Sequence, residues 1–143
     1  MPFPFSAGEI LTATNLNNAI SDSDGTTTIG NAGPGAAEFT VQTLTMAAPA
    51  LAGRVHAFVN IIFSKTVGTD RFGVSVKIDG NVVGGTLEDS APATTTKHVQ
   101  TSGSATVDTS GTVPVVVTVA RTAGTGTATV TSLAFHYIFI PTG

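Results

Sequence analysis

The stretch Arg71-Phe72-Gly73-Val74-Ser75-Val76-Lys77-Ile78-Asp79-Gly80-Asn81-Val82-Val83 decides the fold. Phe72, Val74, Val76 and Ile78 are apolar at every second position, which places them on one face of an extended strand. Asp79-Gly80 then supplies two residues that tolerate positive φ, the requirement of the tightest hairpin turn, and sends the chain back through Asn81 to Leu87 as an antiparallel partner. A period of two that ends in such a turn excludes a helix here.

The same period spreads in both directions. Upstream, Val55, Ala57, Val59, Ile61 and Phe63 alternate with other residues, and Phe39, Val41 and Thr43 begin the pattern. Downstream, residues 88–96 read as loop. Short β segments are expected near Lys97 to Thr101 and Ser104 to Val107, and long strands over Val113 to Arg121 and Thr127 to Ile140. The glycines of Thr122-Ala123-Gly124-Thr125-Gly126 suggest a hairpin between the last two strands, the second of which is expected to bend near Thr131. About eight strands with no helical period after residue 21 predict an all-β fold, an antiparallel β-sandwich of jelly-roll type, with a closed barrel as the alternative. In the last two strands Val116, His136, Ile138 and Ile140 fall on the face turned away from the core. Apolar character there calls for a covering layer, so these four are the candidate oligomer interface.

The N-terminus reads differently. Ser6 and Glu9 have the spacing of a capping box, and Phe5 with Ile10 that of a hydrophobic staple. Leu16 and Ile20 share one face of a continuing turn. A short helix follows, too short to be stable alone in water. Residues 1–21 are therefore expected to be an attachment segment, with Phe5, Ser6, Glu9, Ile10, Leu11, Leu16 and Ile20 as anchoring residues. Residues 22–37, with Asp22-Ser23-Asp24-Gly25 and Gly33-Pro34-Gly35, read as a linker, and 38–143 as the β domain.

Composition removes whole classes of function. The chain has 143 residues, 41% of them apolar and 10% charged, a net charge of −3 and no cysteine. Six Lys and Arg, scattered singly, give no basic stripe for nucleic acid. Mean hydropathy is +0.32, yet the apolar runs fall far short of the roughly 20 residues of a spanning helix, so no membrane partner is expected. No secretory signal is readable at the N-terminus, which implies synthesis in a cytoplasm. A charge content well below the usual ~25% implies a surface partly covered in an assembly.

Chemistry is not written in any motif. His56, His98 and His136 lack partners at metal-ligand spacing, so no metal is assigned. Asp22-x-Asp24-Gly25 departs from a calcium loop at its first and twelfth positions. There is no thiol, no Gly-x-Ser-x-Gly elbow, no phosphate loop and no acidic pair in a recognisable motif. The expectation is no catalytic residue and no cofactor. With no Trp and one Tyr, sugar binding would have to use loops, where Asp70 with Arg71, or Glu88 with Asp89, are candidates alongside their reading as solvated turn charges.

The run Pro4-Phe5-Ser6-Ala7-Gly8-Glu9-Ile10-Leu11-Thr12-Ala13-Thr14-Asn15-Leu16-Asn17 resembles the N-terminal attachment segment of many tailed-bacteriophage fibre and minor virion proteins. Arg121 to Val130 running into Leu133 to Ile140 looks like the closing hairpin of trimeric phage jelly-roll heads. The chain departs from long fibres in having no repetitive shaft. The resemblance implies a non-enzymatic virion component, made in the host cytoplasm: a homotrimer that decorates the capsid or forms a short fibre or tail tip, held to other virion proteins by its N-terminal segment. The alternatives are a receptor-binding protein for a host-surface glycan, a cytoplasmic binding module, or a glycan-active enzyme domain.

Overall fold

A computed structural model describes residues 29–32, 38–87 and 96–142. They form eight strands, β1 (Ile29–Ala32), β2 (Glu38–Met46), β3 (Gly53–Lys65), β4 (Arg71–Ile78), β5 (Asn81–Leu87), β6 (Thr96–Val107), β7 (Val113–Ala123) and β8 (Ala128–Pro141). The strands make two four-stranded antiparallel sheets, one in the order β1-β8-β3-β6 and the other β2-β7-β4-β5. Every connection except β4 to β5 passes from one sheet to the other.

The period of two explains the core between the sheets. Val55, Ala57, Ile61 and Phe63 of β3, Phe72, Val74, Val76 and Ile78 of β4, Val115, Val117 and Val119 of β7, and Leu133 and Phe135 of β8 are all fully buried. Phe63 and Phe72 meet edge to face across the interior, ring centroids 6.0 Å apart. The Asp79–Gly80 turn forms as expected. Both residues have positive φ (50° and 78°), the pair of values a type I′ turn demands, and Ile78 pairs with Asn81.

Bulges in β2 and β8 reset which of their side chains face inward. In β2, Val41 and Gln42 together oppose Val117, so the inward set changes from Phe39 and Val41 to Leu44 and Met46. Thr43, expected to continue the inward series, is exposed on the outer face. In β8 the pairing passes from Phe63–Val130 to Ile62–Ser132 and leaves Thr131 as the extra residue, where its hydroxyl donates to the Ile62 carbonyl at 3.2 Å. This is the bend expected near Thr131.

Other expectations are corrected. β7 and β8 are not a hairpin: β7 lies between β2 and β4, and β8 between β1 and β3, so neither leaves an edge for the other. The glycine-rich turn between them carries the chain from one sheet to the other. The two short segments expected around Gly103 are one continuous strand, paired with β3 from Gly53–Val107 to Ser64–Thr96. Gly103 is no break. It lets β6 approach β5: a Cβ on Gly103 would stand 2.6 Å from the Val83 carbonyl carbon, and one on Gly84 2.1 Å from the Ser102 carbonyl oxygen. The sandwich is thus nearly closed along that side, where Thr86 also bonds to the Gln100 carbonyl at 3.4 Å. Within the stretch read as linker, Ile29–Ala32 are a strand, hydrogen-bonded to β8. The expected helix, with Phe5, Ser6, Glu9, Ile10, Leu11, Leu16 and Ile20, lies outside the described residues, as do Glu88 and Asp89.

Candidate functional site: the outer face of the β8-β3-β6 sheet

Pairing register places three rows of side chains side by side on this outer face. Ile138, His56 and Ser104 make one row, His136, Phe58 and Ser102 the next, and Ala134, Asn60 and Gln100 the third. Ile140 with Arg54, and Ser132 with Ile62 and His98, flank them. All three histidines, scattered in sequence, therefore share one face. Neighbouring strands lie about 4.8 Å apart and same-face residues along a strand about 6.8 Å, so adjacent rows touch.

At the centre is an open groove of about 400 Å³, lined by Phe58, Val59, Asn60, Gln100, Thr101, Ser102, Ala134 and His136. Phe58 is 38% exposed, unusual for so large an apolar side chain in a strand otherwise well ordered into in and out. One face of its ring is stacked on His136, centroids 5.2 Å apart and planes 23° from parallel. The floor is low because Ala134 and Ser102 are small. Asn60 and Gln100 contribute primary amides, and none of the Asn60, Gln100, Ser102 or His136 side chains hydrogen-bonds to another described residue. Among the described residues Arg54 is the one permanent charge on this face.

The sequence candidates are distributed unevenly about this geometry. His136, Ile138 and Ile140 are together here, with Ile138 and Ile140 at the Arg54 end beyond the groove. Val116 is on the outer face of the opposite sheet, between Thr43 and Lys77, and shares no surface with them. Sequence reasoning missed Phe58, Asn60 and Gln100. Phe58 carried a signal, since it sits out of phase with Val55, Ala57, Val59 and Ile61.

Asp70 is not a solvated turn charge. It is fully buried and its carboxylate accepts the Thr125 amide at 3.1 Å and the Gly126 amide, while its backbone carbonyl takes a hydrogen bond from the Lys65 ammonium at 2.9 Å. Lys65 is 1% exposed and also reaches the Gly68 carbonyl. Arg121 donates to the Gly126 carbonyl, and Thr66 exchanges bonds with Thr127. Gly124 has φ of +96° and Gly126 is buried, and a Cβ on either would run into the Asp70 carboxylate. This knot ties the β3–β4 and β7–β8 turns together, and its complete burial closes the carboxylate to a ligand from solvent. Arg71, beside it, is exposed.

On the opposite sheet Glu38 accepts from Lys77 and from the Thr118 hydroxyl at 2.7 Å. The Lys77 hydrogen bond, then that of Thr118, holds the Glu38 carboxyl below its ordinary range. At one end of the sandwich, Asp79, Asp108 and Ser110 border a small hollow of about 140 Å³. There Asp108 is held below the usual carboxylate range by the Ser110 hydroxyl and amide, the amide at 2.9 Å. Among the described residues no three His, Asp or Glu side chains group as a metal site.

No protein-family model matches the chain, and no curated protein matches it. Among solved structures it is similar to a chain in the structure of infectious bursal disease virus Gx strain, at 14% identity and a TM-score of 0.43 over 87% of this chain and 32% of that one. It is also similar to a chain of the Gt strain, at 12% identity and a TM-score of 0.34 over 87% of this chain and 41% of that one. This chain thus spans less than half the length of either viral chain it is compared with.

Proposed function

We propose that the chain is a non-enzymatic structural protein of a bacteriophage virion, a trimeric surface component whose β domain is a jelly roll and whose residues 1–21 dock it to other virion proteins. The observation that carries this reading is the strand order. Sheets β1-β8-β3-β6 and β2-β7-β4-β5, with all but one connection crossing between them, match the order an eight-stranded roll of two Greek keys produces, an architecture used by capsid and lectin domains. That is an architectural analogy, and the link to a particle comes from the Phe5 to Asn17 phrase. Two further features favour assembly. Only 10% of residues are charged, and the outer face of the β8-β3-β6 sheet ends in Ile138 and Ile140, apolar residues suited to contact with a second copy.

Immuno-electron microscopy of particles purified from producing cells tests the assignment. Antibody to this chain should label the capsid surface or the tail tip. A chain lacking residues 1–21, which retains all eight strands, should remain folded and trimeric by sedimentation while labelling disappears. Unlabelled particles, or a truncated chain incorporated as well as the full one, would refute it.

A further inference from the structure

We infer that the groove around Phe58 on the outer face of the β8-β3-β6 sheet is a binding site for a neutral carbohydrate. The inference stands on the groove's own chemistry and does not depend on the chain being part of a particle.

A pyranose has an apolar C–H face and a rim of hydroxyls, each both donor and acceptor. Its site therefore needs an exposed ring face and groups that both donate and accept. Phe58 supplies the ring. His136 stacks against it and fixes its orientation, so little side-chain entropy is lost when a ligand packs on what remains open. The Asn60 and Gln100 amides each offer a carbonyl acceptor and an NH2 donor, and Ser102 adds a hydroxyl. All are uncommitted to other described residues, so a ligand does not have to displace an internal bond to use them. Asp70, the loop carboxylate that sequence reasoning considered for sugars, has no such freedom.

Charge and shape select the ligand further. No charged side chain lines the groove. Arg54 lies two same-face positions from Phe58, about 14 Å along the strand at ~3.4 Å per residue. An anionic sugar would find no counter-charge, and a neutral one loses nothing. A volume of about 400 Å³ falls within the range of small-ligand sites. The open top, bounded by strand-borne side chains on both sides, admits an oligosaccharide passing through rather than a buried monosaccharide. A peptide strand would instead seek the hydrogen-bonding edge of a sheet, and this groove lies mid-face over the paired strands β3, β6 and β8.

The test is an amide chemical-shift titration of the full chain with N-acetylglucosamine, maltotriose and lactose, each to tens of millimolar, and with 3′-sialyllactose as the anionic arm. At least one neutral sugar should move the amides of Phe58, Asn60, Gln100 and Ala134 with millimolar affinity, and adding the sialic acid should not strengthen binding. Phe58→Ala should weaken binding at least about tenfold, which corresponds to about 1.4 kcal/mol, and Asn60→Ala severalfold. Thr43→Ala on the opposite sheet should leave it unchanged. Both groove side chains are exposed, so the variants should keep the parent's spectrum elsewhere, and Asn60→Ala provides an independent reading if Phe58→Ala is perturbed. The inference is overturned if no neutral sugar shifts these amides, if only the sialylated sugar binds, or if both variants bind like the parent. It is also overturned if Phe58→Ala dissociates an oligomer in sedimentation, because a second copy would then occupy the groove. Failure of particle labelling with sugar binding intact would remove the virion reading and leave this one standing.

Discussion

Replacing Asp70 by alanine should be among the most damaging single changes available outside the apolar core. The side chain is fully buried and its carboxylate holds two consecutive amides, those of Thr125 and Gly126, in the turn that transfers the chain from β7 to β8. A hydrogen bond to a charged partner contributes about 1.5 to 3 kcal/mol, and a buried donor left without a partner costs about 1 to 3 kcal/mol. The two bonds together therefore support roughly 3 to 5 kcal/mol, with water entering the opened turn recovering the remainder. Lys65 worsens the loss, since its ammonium is buried beside the same residue and keeping a buried cation requires its surroundings to stay in place. For a chain of this length ~1 kcal/mol corresponds to about 3 to 4 °C in Tm, so Asp70→Ala should lower Tm by roughly 10 to 20 °C at fixed protein concentration. Asp70→Asn should do little better, because its amide would point a donor at one of the two donors it must satisfy. Chemical denaturation with unchanged m-value would give the free energy directly. As a control, Asp108→Ala removes an exposed turn carboxylate and should leave Tm where it is. A Tm for Asp70→Ala within 2 °C of the parent would show that the knot is a consequence of the fold and not one of its fasteners.

Other perturbations follow from the same geometry. Gly84→Ala places a methyl 2.1 Å from the Ser102 carbonyl oxygen, so β5 and β6 must separate; a loss of about 2 kcal/mol or more is expected, whereas Gly111→Ala, with open space around it, should be neutral in the same denaturation assay. Phe135→Ala, at a fully buried position, should cost about 3 to 5 kcal/mol. Glu38, whose carboxyl is held low by Lys77 and Thr118, stabilises the fold above the unfolded glutamate pKa of about 4.3, and that contribution disappears as pH falls through the lower folded value. Glu38→Gln should accordingly flatten the acid side of the stability profile between about pH 5 and pH 3, by less than about 1 kcal/mol, since the Glu38 side chain is 40% exposed.

The central strands were legible because the inward positions of β3 from Val55 to Phe63 and of β4 from Phe72 to Ile78 are an unbroken apolar series at period two. β3 and β4 were readable residue by residue, and the Asp79–Gly80 turn followed from its two positive-φ positions. What misled was glycine. In Gly124-x-Gly126 the residues serve an amide cradle around Asp70, whose two bonds span 55 and 56 residues of chain, and Gly103 serves a close approach to Val83. Local sequence treats both as turn signals, because a glycine needed for space looks the same as one needed for φ. The bulge at Val41–Gln42 was invisible for a related reason. Thr43 and Leu44 are each acceptable on a half-buried strand, and only pairing with β7 decides which faces the core. Val116, His136, Ile138 and Ile140 all lie on outer faces, but strand periodicity says nothing about which sheet a strand joins, so Val116 was grouped with side chains on the far side of the sandwich.

The two outer faces carry different surfaces. The outer face of β2-β7-β4-β5 presents Thr43, Thr45, Thr118, Ser75 and the Glu38–Lys77 pair around two isolated valines, Val116 and the exposed Val82, a mainly polar surface with single aliphatic side chains and no aromatic ring. The face of β8-β3-β6 presents Phe58, Ile62, Ile138 and Ile140 with three histidines and uncommitted amides. Solvent gives no reason to keep Phe58 there, because a polar residue in its place would remove apolar area from water without disturbing the core beneath, which is built from Ala57 and Val59 pointing the other way. A phenylalanine held at 38% exposure and braced by a histidine is the arrangement expected of a surface that meets something other than water. The neighbouring row of Ile138 and Ile140 suits a second copy of the chain, and the amides on the other side suit a ligand rich in hydroxyls. A contact between copies along the isoleucine row would leave the sugar groove open at its border, one site from each copy, so that assembly would multiply weak individual affinities into avidity.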